Sequence, residues 1–381
     1  MEASMGSGSI VLNGRQVDFQ DGQTLLDAAG RTGIEIPTLC HFKGSISRGS
    51  CNICLVELKG EEALVRACST LASPGMDIRT ESPRVREARK ESLRLLLESG
   101  NHNCSIGASQ GDAWTGFQLQ ARHMEDTLEP CPRWGDCELQ NLAYQYQVQW
   151  NRTLTPESGI PKEMINPLII RDFSRCILCG RCVAACNDIQ VNKAIRMPED
   201  TEAKKIIAGK ETAVLKDSDC VFCGECIQAC PVGALVEKKS GYRWRPWEIE
   251  KIRTTCPYCG VGCQQWLHVK DGRILKVTGV EDGSPNKGRL CVKGRFGFDF
   301  IYSEERLTTP LIKENGQFRE ASWDEALDLV AQKFKTIIQE SGPDALAGVS
   351  CARSINEDSY QMQKLFRAVF KTNNIDHCAR T

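Results

Sequence analysis

The sequence lacks the features that would assign it to several broad classes of protein. Its 48 Lys and Arg nearly balance its 49 Asp and Glu, and the net charge of −1 gives no electrostatic reason to expect a nucleic acid or a membrane surface as partner. No run of about 18 apolar residues is present, so no transmembrane helix is predicted. The first residues lack a basic start, an apolar signal segment and a twin-Arg pair, and a cytoplasmic location is therefore expected.

Cysteine is what the sequence has in excess. The chain has 21 Cys among its 381 residues, and they stand in groups with short, regular spacing. A disulfide framework would need an oxidising compartment, to which nothing in the sequence directs the chain. Reduced thiols in such groups predict bound metal, and the spacing within each group indicates which metal.

The first group has the spacing C-x10-C-x2-C-x13-C and consists of Cys40, Cys51, Cys54 and Cys68. It follows a predicted hairpin, SIVLNGRQV, with an Asn-Gly turn. The spacing suits a 2Fe–2S cluster, in which each iron is bound by two thiolates. It resembles the 2Fe–2S domain that begins the large electron-transfer subunit of complex I and of iron-only hydrogenases. The alternative is a zinc site, but zinc usually takes two C-x2-C pairs and this group has one.

A second site is implied by the same resemblance. An amphipathic helix is predicted over Val85 to Ser99, and in the family the next element is a 4Fe–4S cluster held by one His and three Cys. The segment CPRWGDCELQ matches the last part of that pattern, with five residues between Cys131 and Cys137. The implied third Cys is Cys104.

This site departs from the family pattern in one respect. The family has two residues between its first and second Cys, whereas 26 separate Cys104 from Cys131. A long loop is compatible with the site, because the entropy of loop closure grows only logarithmically with length. Two histidines remain open as the fourth ligand. His102 is expected, and His123, inside the insertion, is its rival.

Two copies of one motif follow, RCILCGRCVAAC and DCVFCGECIQAC, each with the bacterial ferredoxin spacing C-x2-C-x2-C-x3-C. In such a run three Cys bind one cluster and the fourth binds the other. One predicted ligand set is therefore Cys176, Cys179, Cys182 and Cys230, and the other is Cys220, Cys223, Cys226 and Cys186. The charged stretch from Asn192 to Asp217 between the copies is interpreted as a solvated insertion without chemistry.

The last group has the spacing C-x2-C-x3-C-x27-C and consists of Cys256, Cys259, Cys263 and Cys291. A hairpin with an Asp-Gly turn is predicted inside its long gap. The group resembles the 4Fe–4S domain of molybdopterin oxidoreductases, whose cofactor is molybdenum or tungsten on two pterin dinucleotides. The resemblance implies that Lys293 lies between cluster and pterin, as in formate dehydrogenases. Without the motif, a Lys is a solvated surface charge.

The rest of the chain has α/β character. SWDE is a predicted capping box before an amphipathic helix that ends before Gly342. Ala345 to Cys351 is predicted to be a buried strand, followed by a helix, as at the start of a parallel sheet. Cys351 and Cys378 belong to no cluster pattern and are expected to be small buried hydrophobic residues.

These motifs predict an α+β multidomain protein. Its expected parts are a β-grasp 2Fe–2S domain (1–82), a helical His/Cys 4Fe–4S domain (83–160, with an insertion at 105–130), a two-cluster 4Fe–4S ferredoxin domain (165–240), a molybdopterin-type 4Fe–4S domain (249–305) and the start of an α/β molybdopterin domain (306–381). One 2Fe–2S and four 4Fe–4S clusters are expected.

The order of the motifs resembles that in the large subunit of cytoplasmic, metal-dependent formate dehydrogenases. The resemblance implies oxidation of formate to carbon dioxide, and the reverse reaction, at a Mo- or W-bis(pterin guanine dinucleotide). Clusters would relay the electrons to a flavin- and NAD-binding complex I-like subunit or to ferredoxin. The alternative is an electron-transfer subunit without chemistry of its own. A third class, a zinc-binding interaction scaffold, is distinguished from both by its appearance, because such a protein would be colourless.

A last expectation concerns the final residues. A molybdopterin catalytic region needs several hundred residues beyond Cys291. In formate dehydrogenases resembling this chain, the segment matching IDHCART is followed by the metal-binding selenocysteine or cysteine and then by a His. No catalytic residue is therefore expected within the chain, and Thr381 would directly precede that ligand. The hypothesis is that this sequence is a truncated reading of a longer selenoprotein, in which the UGA codon for selenocysteine has been taken as a stop codon. The alternative is a genuine short electron carrier or a cloned fragment.

Overall fold

A computed structural model describes residues 7–100, 102, 105–106, 131–151, 162–199, 206–209, 214–240 and 244–378. The chain divides into two compact units, Met1–Ile249 and Glu250–Thr381, and each is described by itself. Both units combine helices with strands, so the predicted α+β class is confirmed.

The first unit begins with a mixed five-stranded sheet. Its elements are β1 (Ser7–Leu12), β2 (Arg15–Gln20), α1 (Leu25–Arg31), β3 (Leu55–Leu58), β4 (Val65–Arg66) and β5 (Asp77–Arg79). The strand order is β2-β1-β5-β3-β4, and β1 pairs with β5 in parallel. The predicted hairpin is confirmed, since Asn13 and Gly14 have φ angles of 51° and 80°, as a tight Asn-Gly turn requires.

The predicted amphipathic helix is also present. It is α2 (Pro83–Glu98), which buries Val85, Leu93 and Leu97. β6 (Ser105–Ile106), α3 (Glu138–Gln145) and β7 (Trp150–Asn151) follow, so a helix does begin directly after Cys137.

A fully buried arginine joins three of these elements. Arg89 of α2 donates to the Tyr146 hydroxyl at 2.6 Å and to the Leu55 carbonyl at 2.8 Å, and it forms an ion pair with Glu81. The Tyr146 hydroxyl in turn donates to Glu81 at 2.9 Å. Arg89 therefore links α2 to the strand that follows Cys54 and to the end of the helix that follows Cys137.

The two ferredoxin motifs lie between short strands. The elements are β8 (Ile169–Arg171), α4 (Arg181–Ala184), β9 (Ile195–Arg196), β10 (Ile207–Ala208), α5 (Glu225–Ala229) and β11 (Leu235–Glu237). Strands β8 and β11 pair antiparallel, and so do β9 and β10. The interpretation of residues 192–217 as a solvated insertion is wrong where the structure describes them, because Ile195, Ile206 and Leu215 are buried.

The second unit opens with a three-stranded antiparallel sheet of β12 (Glu250–Thr255), β13 (Gln264–Lys270) and β14 (Arg273–Gly279). Its predicted Asp-Gly turn is confirmed by φ angles of 49° at Asp271 and 73° at Gly272. Helix α6 (Val292–Phe296) begins directly after Cys291.

The remaining elements are β15 (Leu311–Glu314), β16 (Gln317–Glu320), α7 (Trp323–Ser341), β17 (Gly348–Ser350), α8 (Asn356–Lys364) and β18 (Ile375–His377). The Ser322 hydroxyl caps α7 by accepting from the Glu325 N–H at 3.1 Å. Strands β17 and β18 pair in parallel, as predicted for the start of a parallel sheet.

Two expectations for this region are wrong. The strand is buried on one face only: Gly348 packs against the Phe366 ring, whereas Val349, on the opposite face, is 73% exposed because no described element covers it. Cys351 and Cys378 are not buried hydrophobic residues either. Cys351 is half-buried, Cys378 is exposed, and their sulfur atoms lie 3.2 Å apart.

Candidate iron–sulfur sites

The first predicted group converges in the sheet domain. Cys40, Cys51, Cys54 and Cys68 are all buried, and hydrogen bonds join Cys40 to Cys51 and Cys68, and Cys54 to Cys68. The hydrogen bond from Cys51 holds the pKa of Cys40 far below its usual range, and the Cys68 thiol lowers the pKa of Cys54 to about 7; the same hydrogen bonds raise the pKa values of Cys51 and Cys68. Four buried sulfurs joined by hydrogen bonds in one group fit a 2Fe–2S cluster, which takes two thiolates on each iron.

Ferredoxin Cys from both motifs line one cavity. The sulfur-bearing residues around it are Cys176, Cys179, Cys182 and Cys230. The other lining residues are Phe173, Ile177, Gly180, Ile206, Val232, Ala234 and Leu235, none of which carries a polar side chain. Burial raises the pKa of Cys176 to about 12, so the Cys176 thiolate is disfavoured when the site contains only the four cysteines. A cationic cluster bound by the four sulfurs would offset that cost.

The other ferredoxin set is also brought together. Cys220 interacts electrostatically with Cys223 and with Cys186 from the first motif, and burial raises its pKa to about 11. Cys182 interacts with Cys226, so the two sets are neighbours.

The two ferredoxin motifs share a backbone conformation as well as a sequence pattern. Leu178 and Phe222 have φ angles of 54° and 53°, and Gly180 and Gly224 have 78° and 74°. In this conformation the N–H groups of Leu178 and Phe222 each donate to the sulfur of the motif's first Cys at 3.4 Å. Such N–H···S hydrogen bonds are one means by which a protein sets the potential of a cluster.

The His/Cys site is only partly within the described residues. Cys104 and His123 lie outside them, whereas Cys131, Cys137 and His102 are buried. Burial raises the pKa of Cys137 to about 12, and Cys131 adds to this rise.

Contacts with the ferredoxin domain place this site beside the first ferredoxin set. A methyl group at Gly233 would lie 3.2 Å from the Cys131 sulfur and 3.5 Å from Arg175 Cδ. The Glu138 N–H donates to the Pro231 carbonyl at 2.9 Å, directly after Cys230.

Arg133 was not singled out by the sequence patterns. Its guanidinium interacts electrostatically with Cys137 of one set and Cys230 of the other, and lies 3.4 Å from Asp136. The sequence pattern could not have predicted this role for Arg133, because Cys230 lies in a motif about 100 residues further along the chain.

His102 is buried against the segment that precedes the first ferredoxin motif. A methyl group at Gly100 would lie 2.6 Å from the Ser174 carbonyl oxygen and 3.1 Å from His102 Nε2. Ser174 directly precedes Arg175 in the chain. Arg175 and Cys131 in turn both lie close to Gly233. His102 stays the predicted fourth ligand.

The ligand choice at this site can be tested by substitution. We expect Cys131→Ser to remove one 4Fe–4S electron paramagnetic resonance signal and to leave the 2Fe–2S signal intact. His102→Ala should shift the midpoint potential of the same 4Fe–4S cluster, because it removes the imidazole and leaves one iron to be bound by solvent. His123→Ala is the matched control. A shift with His123→Ala and none with His102→Ala would assign the ligand to the insertion.

The second unit has its own Cys site. The Cys256 N–H donates to the Cys263 carbonyl at 2.8 Å, and Cys259 and Cys291 both interact electrostatically with Cys256 and Cys263. Burial raises the pKa of Cys256, while Lys293 acts in the opposite direction. Lys293 is exposed and lines an open cleft with Tyr258 and Gln265.

Two features are absent from the described residues. In that part of the chain, no three His, Cys, Asp or Glu side chains are arranged to hold a single metal ion. No helix among the described residues is both long and apolar enough to cross a membrane.

Four family models match the chain in the order that the motifs predict. They are a 2Fe–2S iron–sulfur cluster binding domain (9–83), a 4Fe–4S dicluster domain (175–234), a molybdopterin oxidoreductase Fe4S4 domain (249–303) and a molybdopterin oxidoreductase domain (306–381).

Similar proteins support the same assignment. A Bacillus subtilis protein named as a candidate formate dehydrogenase, YrhE, is 33% identical over 98% of this chain, and a subunit of an NADH-quinone oxidoreductase of Rhizobium meliloti is 34% identical over 97%. The chain spans 40% of the length of each. A crystal structure of an NAD⁺-reducing [NiFe]-hydrogenase in the H₂-reduced state matches with a TM-score of 0.52 and 28% identity, over 64% of this chain and 91% of that one. The chain therefore contains 2Fe–2S, 4Fe–4S dicluster and molybdopterin oxidoreductase domains, and along nearly its whole length it is similar to proteins named as formate dehydrogenase and as an NADH-quinone oxidoreductase subunit.

Proposed function

We propose that the chain is the iron–sulfur electron-transfer portion of a formate dehydrogenase or CO₂ reductase large subunit. It would relay electrons between a Mo- or W-pterin site and a complex I-like flavin/NAD subunit or ferredoxin. The observation that carries the proposal is the molybdopterin-type Cys site with Lys293 beside it, in a chain whose relatives include proteins named as formate dehydrogenases.

Five ligand sets are proposed. They are Cys40, Cys51, Cys54 and Cys68; His102, Cys104, Cys131 and Cys137; Cys176, Cys179, Cys182 and Cys230; Cys186, Cys220, Cys223 and Cys226; and Cys256, Cys259, Cys263 and Cys291. When bound, one 2Fe–2S and four 4Fe–4S clusters supply one-electron redox chemistry.

The chain's own residues would set the conditions at these sites. The apolar lining around Cys230 excludes water from the first ferredoxin site, and the N–H groups of Leu178 and Phe222 stabilise negative charge on sulfur. The Arg133 guanidinium, which also interacts with Asp136 and Glu237, acts electrostatically on both Cys137 and Cys230, and its positive charge favours the arrival of an electron at either site. The positive charge of Lys293 likewise favours the arrival of an electron at the molybdopterin-type site, and we propose that Lys293 contacts the pterin.

The proposal predicts formate-linked reduction of an artificial dye by the assembled complex. Lys293→Met should lower its kcat about tenfold or more, which corresponds to one lost charge-assisted hydrogen bond. The exposed Lys333→Met on α7 is the control and should leave the rate unchanged. Absence of formate-linked activity in a complex loaded with all its metals would contradict the proposal.

A second candidate is an electron-transfer subunit without chemistry of its own. It is favoured by the relative named as part of an NADH-quinone oxidoreductase and by the likeness to the NAD⁺-reducing hydrogenase. In that case the complex would reduce the dye with NADH but not with formate, and Lys293→Met would have no effect on formate-linked activity because there would be none.

A further inference from the structure

Two cysteines outside every proposed cluster site lie side by side in the second unit. Cys351 follows β17 and Cys378 follows β18, and the parallel register pairs Ser350 with His377, so the two Cys are the next residues in register. Their sulfur atoms are 3.2 Å apart. A disulfide bond is about 2.05 Å long and joins Cα atoms about 4.4–6.8 Å apart, which is the spacing of neighbouring strands.

We propose that Cys351 and Cys378 form a reversible dithiol–disulfide site that is oxidised by low-molecular-weight disulfides of the glutathione class. The proposal does not depend on the proposed function, because neither Cys belongs to a cluster pattern. Among the described residues, no third His, Cys, Asp or Glu joins the pair in an arrangement that could hold a metal ion.

The surroundings of the pair favour Cys378 as the attacking thiol. Cys378 is exposed, so a small disulfide can reach it, and the Cys351 thiol and the Ala352 N–H both hydrogen-bond to its sulfur. These contacts lower the pKa of Cys378, and Arg353 adds to the effect. A larger thiolate fraction raises the rate of thiol–disulfide exchange near neutral pH.

Cys351 is positioned to complete the reaction. The Arg353 N–H donates to its sulfur at 3.3 Å, and the Ser354 hydroxyl donates to its carbonyl oxygen at 2.7 Å, so the loop after β17 is fixed. A resolving thiol held this close outcompetes a second molecule in solution, because its attack is intramolecular.

The exchange balances in two steps. The Cys378 thiolate attacks one sulfur of the small disulfide, the S–S bond breaks, and one thiol leaves after taking a proton. Cys351, having lost its proton, then attacks the Cys378 sulfur and releases the second thiol. The two Cys lose two electrons and two protons, and one small disulfide becomes two thiols. Excess thiol reverses both steps.

The test uses the full chain, purified without oxygen and carrying its clusters. It is equilibrated in buffers of increasing oxidised-to-reduced glutathione ratio, quenched with acid and N-ethylmaleimide, and digested with trypsin. We expect residues 336–353 and 372–380 to appear as one disulfide-linked species in mass spectrometry. This species should increase with the ratio, disappear on reduction, and form at ratios that leave the visible absorption of the clusters unchanged.

Two variants distinguish the roles of the thiols. Cys351→Ser should accumulate a glutathione adduct on Cys378, and Cys378→Ser should leave Cys351 with much less adduct at the same time point. The proposal is overturned if both wild-type peptides remain alkylated by N-ethylmaleimide at every ratio. It is equally overturned if the wild-type chain gives only separate glutathione adducts.

Discussion

Replacing Cys230 by Ser is expected to remove the cluster of the first ferredoxin motif rather than that of its own motif. The Cys230 sulfur lies in the cavity lined by Cys176, Cys179 and Cys182, and it donates to the Val232 carbonyl at 3.1 Å in the thiol form. Serine is a poor ligand for the soft iron of a cluster, so one complete 4Fe–4S signal should be lost.

Cys186→Ser is the matched control for this exchange of ligands. Cys186 belongs to the first motif but interacts with Cys220 of the second. It should remove the other 4Fe–4S signal and leave the first. The pairing is determined by comparison with Cys179→Ser and Cys223→Ser, which each remove a ligand from the middle of one motif: Cys230→Ser should remove the same signal as Cys179→Ser, and Cys186→Ser the same signal as Cys223→Ser. If each variant removed the cluster of its own motif, the crosswise arrangement would be wrong.

Replacing Arg89 by Met is expected to destabilise the first unit by about 3 kcal/mol. The change leaves the Leu55 carbonyl without its donor and removes a charge-assisted contact with Glu81 from a buried position. Anaerobic urea unfolding, followed by far-ultraviolet circular dichroism, should show the lower transition midpoint.

Arg86→Met is the control, since Arg86 pairs with the same Glu81 at 3.0 Å but is 46% exposed at its side chain. A surface ion pair contributes at most about 1 kcal/mol. Equal destabilisation by both variants would show that Arg89 acts as a surface charge and not as the link between α2, β3 and the end of α3.

Local elements of the fold were predictable because their information is local. Asn13-Gly14 and Asp271-Gly272 specify tight turns through two residues with positive φ, and both hairpins are present. The leucine spacing of α2 likewise determines its buried face. The ferredoxin cysteine groups are also local signals, because three of the four ligands of each site stand within seven residues.

Apart from the crosswise Cys sets of the ferredoxin motifs, long-range neighbours were not predictable from these patterns. Ile206 was assigned to a solvated insertion, yet it lines the cavity around Cys230, because charged neighbours in sequence say nothing about where one apolar side chain packs. Cys351 and Cys378 meet only because β17 and β18 pair in parallel across a helix. Burial of β17 was overestimated for a related reason: an apolar strand is buried only on the faces that other elements cover.

We propose that this chain holds a relay of five clusters. Iron and acid-labile sulfide analysis of the anaerobically reconstituted chain measures their number. One 2Fe–2S and four 4Fe–4S clusters require about 18 iron atoms and as many sulfides per chain, with little zinc. A value near 8 irons would leave only the ferredoxin motifs loaded and would contradict the account.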